Sequence, residues 1–178
     1  KERIFEPLGM NDTYFYLPPE KHNRLVKMYI HPAGQARCSI DTTTLEDYPL
    51  VADQPYHGGG AGLSGPIEDY AKFLQMILNK GTFNNHRILG RKTVELMLTN
   101  QITVENGYQF SLGFEILRNK EFLQKMVSPG SLRWGGAYQT QYVIDPKEEL
   151  IILFYTNYKL GNFPVYDRYL ISIYQALK

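Results

Sequence analysis

The apolar period of this chain changes once, near Gly107, and that change dictates the fold class. Upstream, Ile67, Tyr70, Ala71, Leu74, Ile77 and Leu78 recur at helical spacing. Pro66 fits the first turn of such a helix, Glu68 and Asp69 suit the positive end of its dipole, and Gly81 ends it. A second helix is predicted over 91–98, with Val94, Met97 and Leu98 facing inward. Downstream, Phe110, Leu112, Phe114 and Ile116 alternate with Ser111, Gly113, Glu115 and Leu117, which is strand spacing. A further strand begins over 132–134. Segments 139–144 and 150–155 form a hairpin around Asp145-Pro146-Lys147-Glu148, where Asp then Pro suits a type I turn. Val165, Tyr169, Leu170, Ile173, Tyr174 and Leu177 mark a closing amphipathic helix. Helices and loops over 1–104, then an antiparallel meander of three to four strands with a C-terminal helix over 105–178, spell an α+β fold.

The remaining segments are less regular. Ile4, Phe5 and Leu8 read as the end of a helix stopped by Gly9, and Asn11-Asp12-Thr13 as a turn. Residues 22–30 hold a short strand, and the stretch to Pro55 is an irregular packed excursion. Residues 119–131 are polar and carry no clear period.

Charge and motif spacing exclude several functions. Nineteen basic and 18 acidic residues leave a net charge of +1, with no run of five like charges, so no footprint for nucleic acid exists. No apolar run approaches the roughly 18 residues of a membrane-spanning helix. Cys38 is alone and makes no intrachain disulfide. The histidines (His22, His31, His57, His86) lack metal-ligand spacing, so no metal is expected. Gly60-Ala61-Gly62-Leu63-Ser64-Gly65 satisfies G-x-G-x-x-G, but no strand precedes it, so no dinucleotide or other cofactor is expected either. There is no G-x-S-x-G elbow. The chain starts at Lys1 without an initiator Met, as expected of a start inside a longer polypeptide.

Three segments, in order, carry a resemblance. They are Pro7-Leu8-Gly9-Met10 with Asp12-Thr13; Gly59-Gly60-Ala61-Gly62-Leu63-Ser64 with Asp69-Tyr70-Ala71-Lys72-Phe73; and Trp134-Gly135-Gly136-Ala137-Tyr138 with Asp145-Pro146 and the apolar strand to Thr156-Asn157. Together they resemble the C-terminal portion of the superfamily of serine β-lactamases, D-alanyl-D-alanine peptidases and related esterases. The resemblance implies part of the β-lactamase/transpeptidase-like fold. It places the family's third active-site box at Trp134-Gly135-Gly136, with Trp134, Gly135, Gly136 and Tyr138 contacting substrate. The Ala137 amide would be an oxyanion-hole donor, a group typically worth ~3 kcal/mol. The small residues would let the strand lie edge-on to the acyl group. Trp134 replaces the usual cation, which implies uncharged esters or amides over penicillins.

The family nucleophile lies in Ser-x-x-Lys. None of Ser39, Ser64, Ser111, Ser128, Ser131 and Ser172 has a lysine three residues on. Tyr155-Thr156-Asn157 matches the letters of the second box, Tyr-x-Asn, but follows the third, and reads as a coincidence. Both missing boxes would lie upstream of Lys1. Gln139, where relatives carry glycine, and Arg133, where they carry a small or apolar residue, are further departures. The resemblance thus implies a fragment of a serine hydrolase, silent alone, whose intact parent acts on a small acyl substrate. The alternative is a non-catalytic module for binding or assembly. With the family's N-terminal strands missing, strand 150–155 should have an open edge, suited to self-association or complementation. The resemblance implies a periplasmic or cell-envelope location, and a cytoplasmic one stays open.

Overall fold

The hairpin at Asp145 shows how local chemistry sets the sheet. A computed structural model describes residues 1–32, 37–42, 48–50, 56–159 and 164–178. Asp145 Oδ1 accepts hydrogen bonds from the amides of Lys147 (3.1 Å) and Glu148 (3.2 Å), reversing the chain after Pro146. The flanking strands pair Asp145 with Leu150 and Gln141 with Phe154.

In chain order the helices are α1 (Phe5–Leu8), α2 (Ile67–Leu78), α3 (Arg91–Leu98), α4 (Asn119–Lys125) and α5 (Pro164–Ala176). The strands are β1 (Tyr29–Ile30), β2 (Ser39–Ile40), β3 (Thr82–Phe83), β4 (His86–Arg87), β5 (Ile102–Thr103), β6 (Gln109–Phe110), β7 (Glu115–Ile116), β8 (Leu132–Gly135), β9 (Gln141–Asp145), β10 (Leu150–Phe154) and β11 (Tyr158–Lys159). The main sheet has the order β10-β9-β8-β7-β6-β5, with every neighbouring pair antiparallel. A small sheet runs β11-β1-β2, with β1 parallel to β11.

Strand alternation gives the main sheet two apolar faces. Leu132, Tyr142, Ile144, Ile151 and Leu153 pack with Leu8, Leu74, Met76, Ile77 and Val94 from the helical region. Val143, Leu150, Ile152 and Phe154 pack with Tyr166, Leu170 and Tyr174 of α5. The result is helix, sheet, helix, the α+β layering that the period change predicts. Helix α2 covers the expected apolar period, with Pro66 just before it as an extended N-cap, but it ends at Leu78 with Asn79 as its cap rather than at Gly81. Gly9 caps α1 in the left-handed region (φ 66°).

The meander is longer than the sequence pattern suggests. The alternating run at 110–116 is not one strand but the hairpin β6–β7. Gly113 (φ 100°) turns the chain, and the Ser111 amide closes on Phe114 O at 2.8 Å. Leu112 leaves the ladder, donates to Met97 O and is exposed, while Phe114 is buried. The sheet also begins at Ile102, before the expected boundary at 105. The short strand expected within 22–30 is β1 at Tyr29–Ile30, and the first residues of that segment, up to Arg24, belong instead to the 3-10 helix Pro19–Arg24. The polar stretch after 118 contains α4, whose Glu121 carboxylate accepts from the Arg118 amide at 3.0 Å. Its apolar residues Phe122, Leu123 and Met126 are exposed, so it shows no inward period. On α5, Val165 and Tyr169 are exposed, Leu177 lies just past its end and is exposed too, and Tyr166 takes an inward place instead.

Candidate active site

Asp69 joins the first two resembling segments. It lies in the first turn of α2 and is only 4% exposed. Its Oδ2 accepts from the Asp12 amide (2.8 Å) and the Thr13 hydroxyl (3.0 Å). Its Oδ1 meets Lys72 Nζ at 2.9 Å, and the same ammonium donates to Gly9 O at 2.5 Å. A buried carboxylate is tolerable only with partners of this kind. Above it, Tyr14 and Ser64 exchange backbone hydrogen bonds of 2.9 and 2.8 Å. Gly65 is needed there: a Cβ would sit 2.7 Å from Thr13 Oγ1 and 3.3 Å from its Cα. A cavity of about 280 Å³ opens beside this junction, lined in part by Leu17, Leu25, Val26 and Pro66. The cations at its rim, Lys21 and Arg24, both pair with Asp12.

The third segment forms the end of β8 and the turn into β9. Trp134 lies opposite Tyr142, so the two share a face of the sheet. It is 48% exposed, and Phe110 meets it edge-on at 5.8 Å. Gly135 lies opposite Gln141, whose amide group fills the space of a would-be Cβ. Gly136 is crowded in the same way by the Thr140 hydroxyl. A side chain at either position would have to displace the Gln141 amide or the Thr140 hydroxyl, a crowding independent of substrate approach.

The turn itself is braced by Gly136 N–H donating to Thr140 O at 2.7 Å and Gln139 N–H donating to Gly136 O at 3.1 Å. Gln139 has φ 60°, the left-handed region that glycine enters most easily. Ala137 is exposed, and its amide makes no hydrogen bond among the described residues. Tyr138 is half-buried and turns away from Trp134's surroundings: its hydroxyl donates to Asp41 Oδ2 at 2.9 Å. The structure thus places Trp134, Gly135, Gly136 and Ala137 along one short edge and engages the Tyr138 hydroxyl elsewhere.

On the sheet face that Trp134 shares with Tyr142, the buried Tyr142 ring packs against Tyr70 and Phe114. Tyr70 of α2 lies 5.2 Å from Tyr142, ring to ring. Burial pushes the phenols of Tyr70, Tyr142 and Tyr155 above the ordinary tyrosine value, and Tyr70 adds to the rise at Tyr142 and Tyr155. None of them supplies a phenolate base near neutral pH. Thr156 and Asn157, from the misplaced Tyr-x-Asn, serve the backbone: Thr156 Oγ1 donates to Tyr138 O (2.7 Å) and Asn157 Nδ2 to Lys27 O (2.7 Å). Arg133, the other departure, forms a two-pronged pair with buried Glu115 at 2.8 and 3.2 Å. His57 stands edge-on to Phe15 and Tyr16 in the glycine loop. Asp41, Thr140 and Gln141 brace the box, and no periodicity or spacing in the sequence singles them out.

This fold, with its three ordered segments, defines a chain of the serine β-lactamase and penicillin-binding-protein class. A family model described as Beta-lactamase matches residues 1–176, and the chain belongs to that family. It is 30% identical over 168 residues to Protein Rv1367c of Mycobacterium tuberculosis (strain ATCC 25618 / H37Rv), covering 86% of this chain and 41% of that protein. Its fold is similar to that of EstCE1, a hydrolase with promiscuous acyltransferase activity (TM-score 0.77, 23% identity, 96% of this chain and 49% of that one). It is also similar to simvastatin synthase LovD from Aspergillus terreus, a LovD6 mutant (TM-score 0.79, 22% identity, 97% and 46%). The chain therefore spans less than half the length of each of these relatives.

Proposed function

We propose that this chain is the C-terminal part of a serine hydrolase that forms an acyl-enzyme on a small ester, amide or β-lactam, and that it is silent alone. The observation that carries this reading is the Ala137 amide, exposed and unpaired among the described residues, directly after Trp134-Gly135-Gly136. A fixed backbone donor of this kind suits the oxyanion of an acyl-transfer intermediate. No serine here precedes a lysine at the required spacing, so the nucleophile and its activating groups come from polypeptide preceding Lys1. Trp134 gives the site a flat apolar surface with a single N–H donor. Phe110 meets that surface edge-on, and among the described residues no cation is placed over the Trp134 ring. Such a wall favours uncharged acyl groups over the carboxylate of a penicillin. The description of EstCE1 as a hydrolase with acyltransferase activity supports the same chemistry. The open side of β10 is the edge on which further strands pair.

Fluorophosphonate and fluorescent penicillin test the reading directly. This chain alone should take up neither label, whereas the polypeptide extended upstream should be acylated at the serine of a Ser-x-x-Lys box. Labelling of any serine within 1–178 would overturn the assignment. In the extended polypeptide, a short-chain nitrophenyl ester should be hydrolysed faster than a chromogenic cephalosporin, and the reverse order would refute the role given to Trp134.

A further inference from the structure

Asp41 is wholly buried, and what it touches is the turn that carries Ala137. Its amide donates to Met28 O at 2.9 Å, fixing it beside the small sheet. A carboxylate without solvent costs several kcal/mol unless charges and hydrogen bonds compensate. Among the groups that do so are the Tyr138 hydroxyl at 2.9 Å and Lys159 Nζ at 3.7 Å. Lys159 also stands 5.7 Å from the centre of the Tyr138 ring. On its other side, Tyr138 is held by its carbonyl, which accepts from Thr156 Oγ1 at 2.7 Å. Tyr138 is thus gripped at both ends by residues 97 and 18 positions away in sequence.

The grip bears on Ala137 through the geometry of one peptide unit. The Gly136 carbonyl and the Ala137 N–H belong to the same plane and point in opposite directions. Gln139 N–H holds the Gly136 carbonyl at 3.1 Å and thereby aims the Ala137 N–H away from the turn's interior. The ring closed by that hydrogen bond is set by the backbone dihedrals of Ala137 and Tyr138, and Gln139 at φ 60° then brings Thr140 O back to the Gly136 N–H at 2.7 Å, at a cost of about 1 kcal/mol for a non-glycine residue. Tyr138 stands between Ala137 and Gln139, so anchoring it opposes relaxation of the turn.

We propose that Asp41 is a positioning residue for the site, locking the Ala137 amide in its aim through the Tyr138 hydroxyl, with Thr156 as the second anchor. The proposal rests on the oxyanion role given to Ala137 above. It also gives Thr156, in the misplaced Tyr-x-Asn, a part in the site that the motif letters do not describe.

Tyr138→Phe removes a single oxygen and leaves the ring in place, so it tests the idea without threatening the fold. In this chain, amide hydrogen exchange at Gly136 and Gln139 should become about tenfold faster in Tyr138→Phe, Asp41→Asn and Thr156→Val. Exchange at Val143 and Ile152, in the centre of the sheet, should not change. Unaltered exchange at Gly136 and Gln139 in Tyr138→Phe overturns the proposal, as does an equal rise at the sheet amides. In the extended polypeptide, the same substitutions should lower kcat for an ester and leave KM unchanged. Faster exchange at the turn with an unchanged kcat would leave the clamp standing and remove the oxyanion role of Ala137.

Discussion

Replacing Asp145 by asparagine should destabilise the chain by about 3 kcal/mol, and the loss should shrink as the solution is acidified. Asp145 has no exposure and accepts four hydrogen bonds. Two come from its own turn, at Lys147 and Glu148. The other two come to Oδ2, from the Ser128 amide at 3.2 Å and the Tyr174 hydroxyl at 2.8 Å. One carboxylate thus ties the β9–β10 turn to the segment before β8 and to α5. Asparagine keeps an acceptor for one pair but presents an N–H₂ group to the other. Tyr174 can rotate its hydroxyl to accept, but the Ser128 amide cannot reverse. One unsatisfied buried donor costs about 1–3 kcal/mol, and losing a charge-assisted hydrogen bond adds a similar amount.

The pH dependence follows from the same contacts. Burial by itself raises the pKa of Asp145, but the hydrogen bonds from Tyr174, Ser128 and Glu148 outweigh it and hold the carboxyl below its ordinary value. A depressed folded pKa contributes stability above the unfolded value, roughly 3.9, and that contribution disappears as pH falls through the folded one. Urea unfolding, followed by far-UV circular dichroism and by the single tryptophan, Trp134, measures both variants from neutral to acidic pH. The gap should be widest near neutrality and close on acidification. A gap below about 0.5 kcal/mol near neutral pH, or one that stays constant down to the acid limit of folding, would falsify the assignment of Asp145 as an ionised hub.

Gln139→Gly removes a side chain from a left-handed position and should stabilise the chain by about 1 kcal/mol, read as a raised thermal midpoint; an unchanged midpoint refutes the strain. Gly65→Ala pushes a methyl group onto Thr13 and should cost about 1–3 kcal/mol in urea unfolding, with loss of exchange protection at the Tyr14 and Ser64 amides. A neutral effect would mean that the two segments separate without penalty. Because β10 has β9 as its sole strand neighbour among the described residues, sedimentation should show association that grows with concentration. A monodisperse monomer at the highest concentration counts against the open edge.

Several letters that carried the family resemblance are places where one segment packs closely on another. Gly65 lets α2 approach Thr13, Ser64 bridges Tyr14, and Gly135 and Gly136 admit Gln141 and Thr140. Contacts of that kind accept few residue types, so they are legible without coordinates. The courses of α2 and α3 and the β9–β10 hairpin were legible for another reason: their apolar period coincides with burial on one side. The β6–β7 hairpin was not, because its alternation of letters continues through a turn that a single glycine makes. Helix α4 was hidden because its apolar residues face outward, and no rule of burial marks them. The bracing of the candidate site was the least visible part. Asp41 follows an irregular, aperiodic stretch and reaches Tyr138 from 97 residues away. Its meaning lies in a three-dimensional coincidence of a buried carboxylate, a phenol and a turn, for which a linear pattern has no counterpart. The sequence of this chain thus marks a candidate site more readily than it marks what holds that segment in shape. The clamp on Tyr138 is where that difference can be measured, because its removal should loosen the turn without moving the sheet.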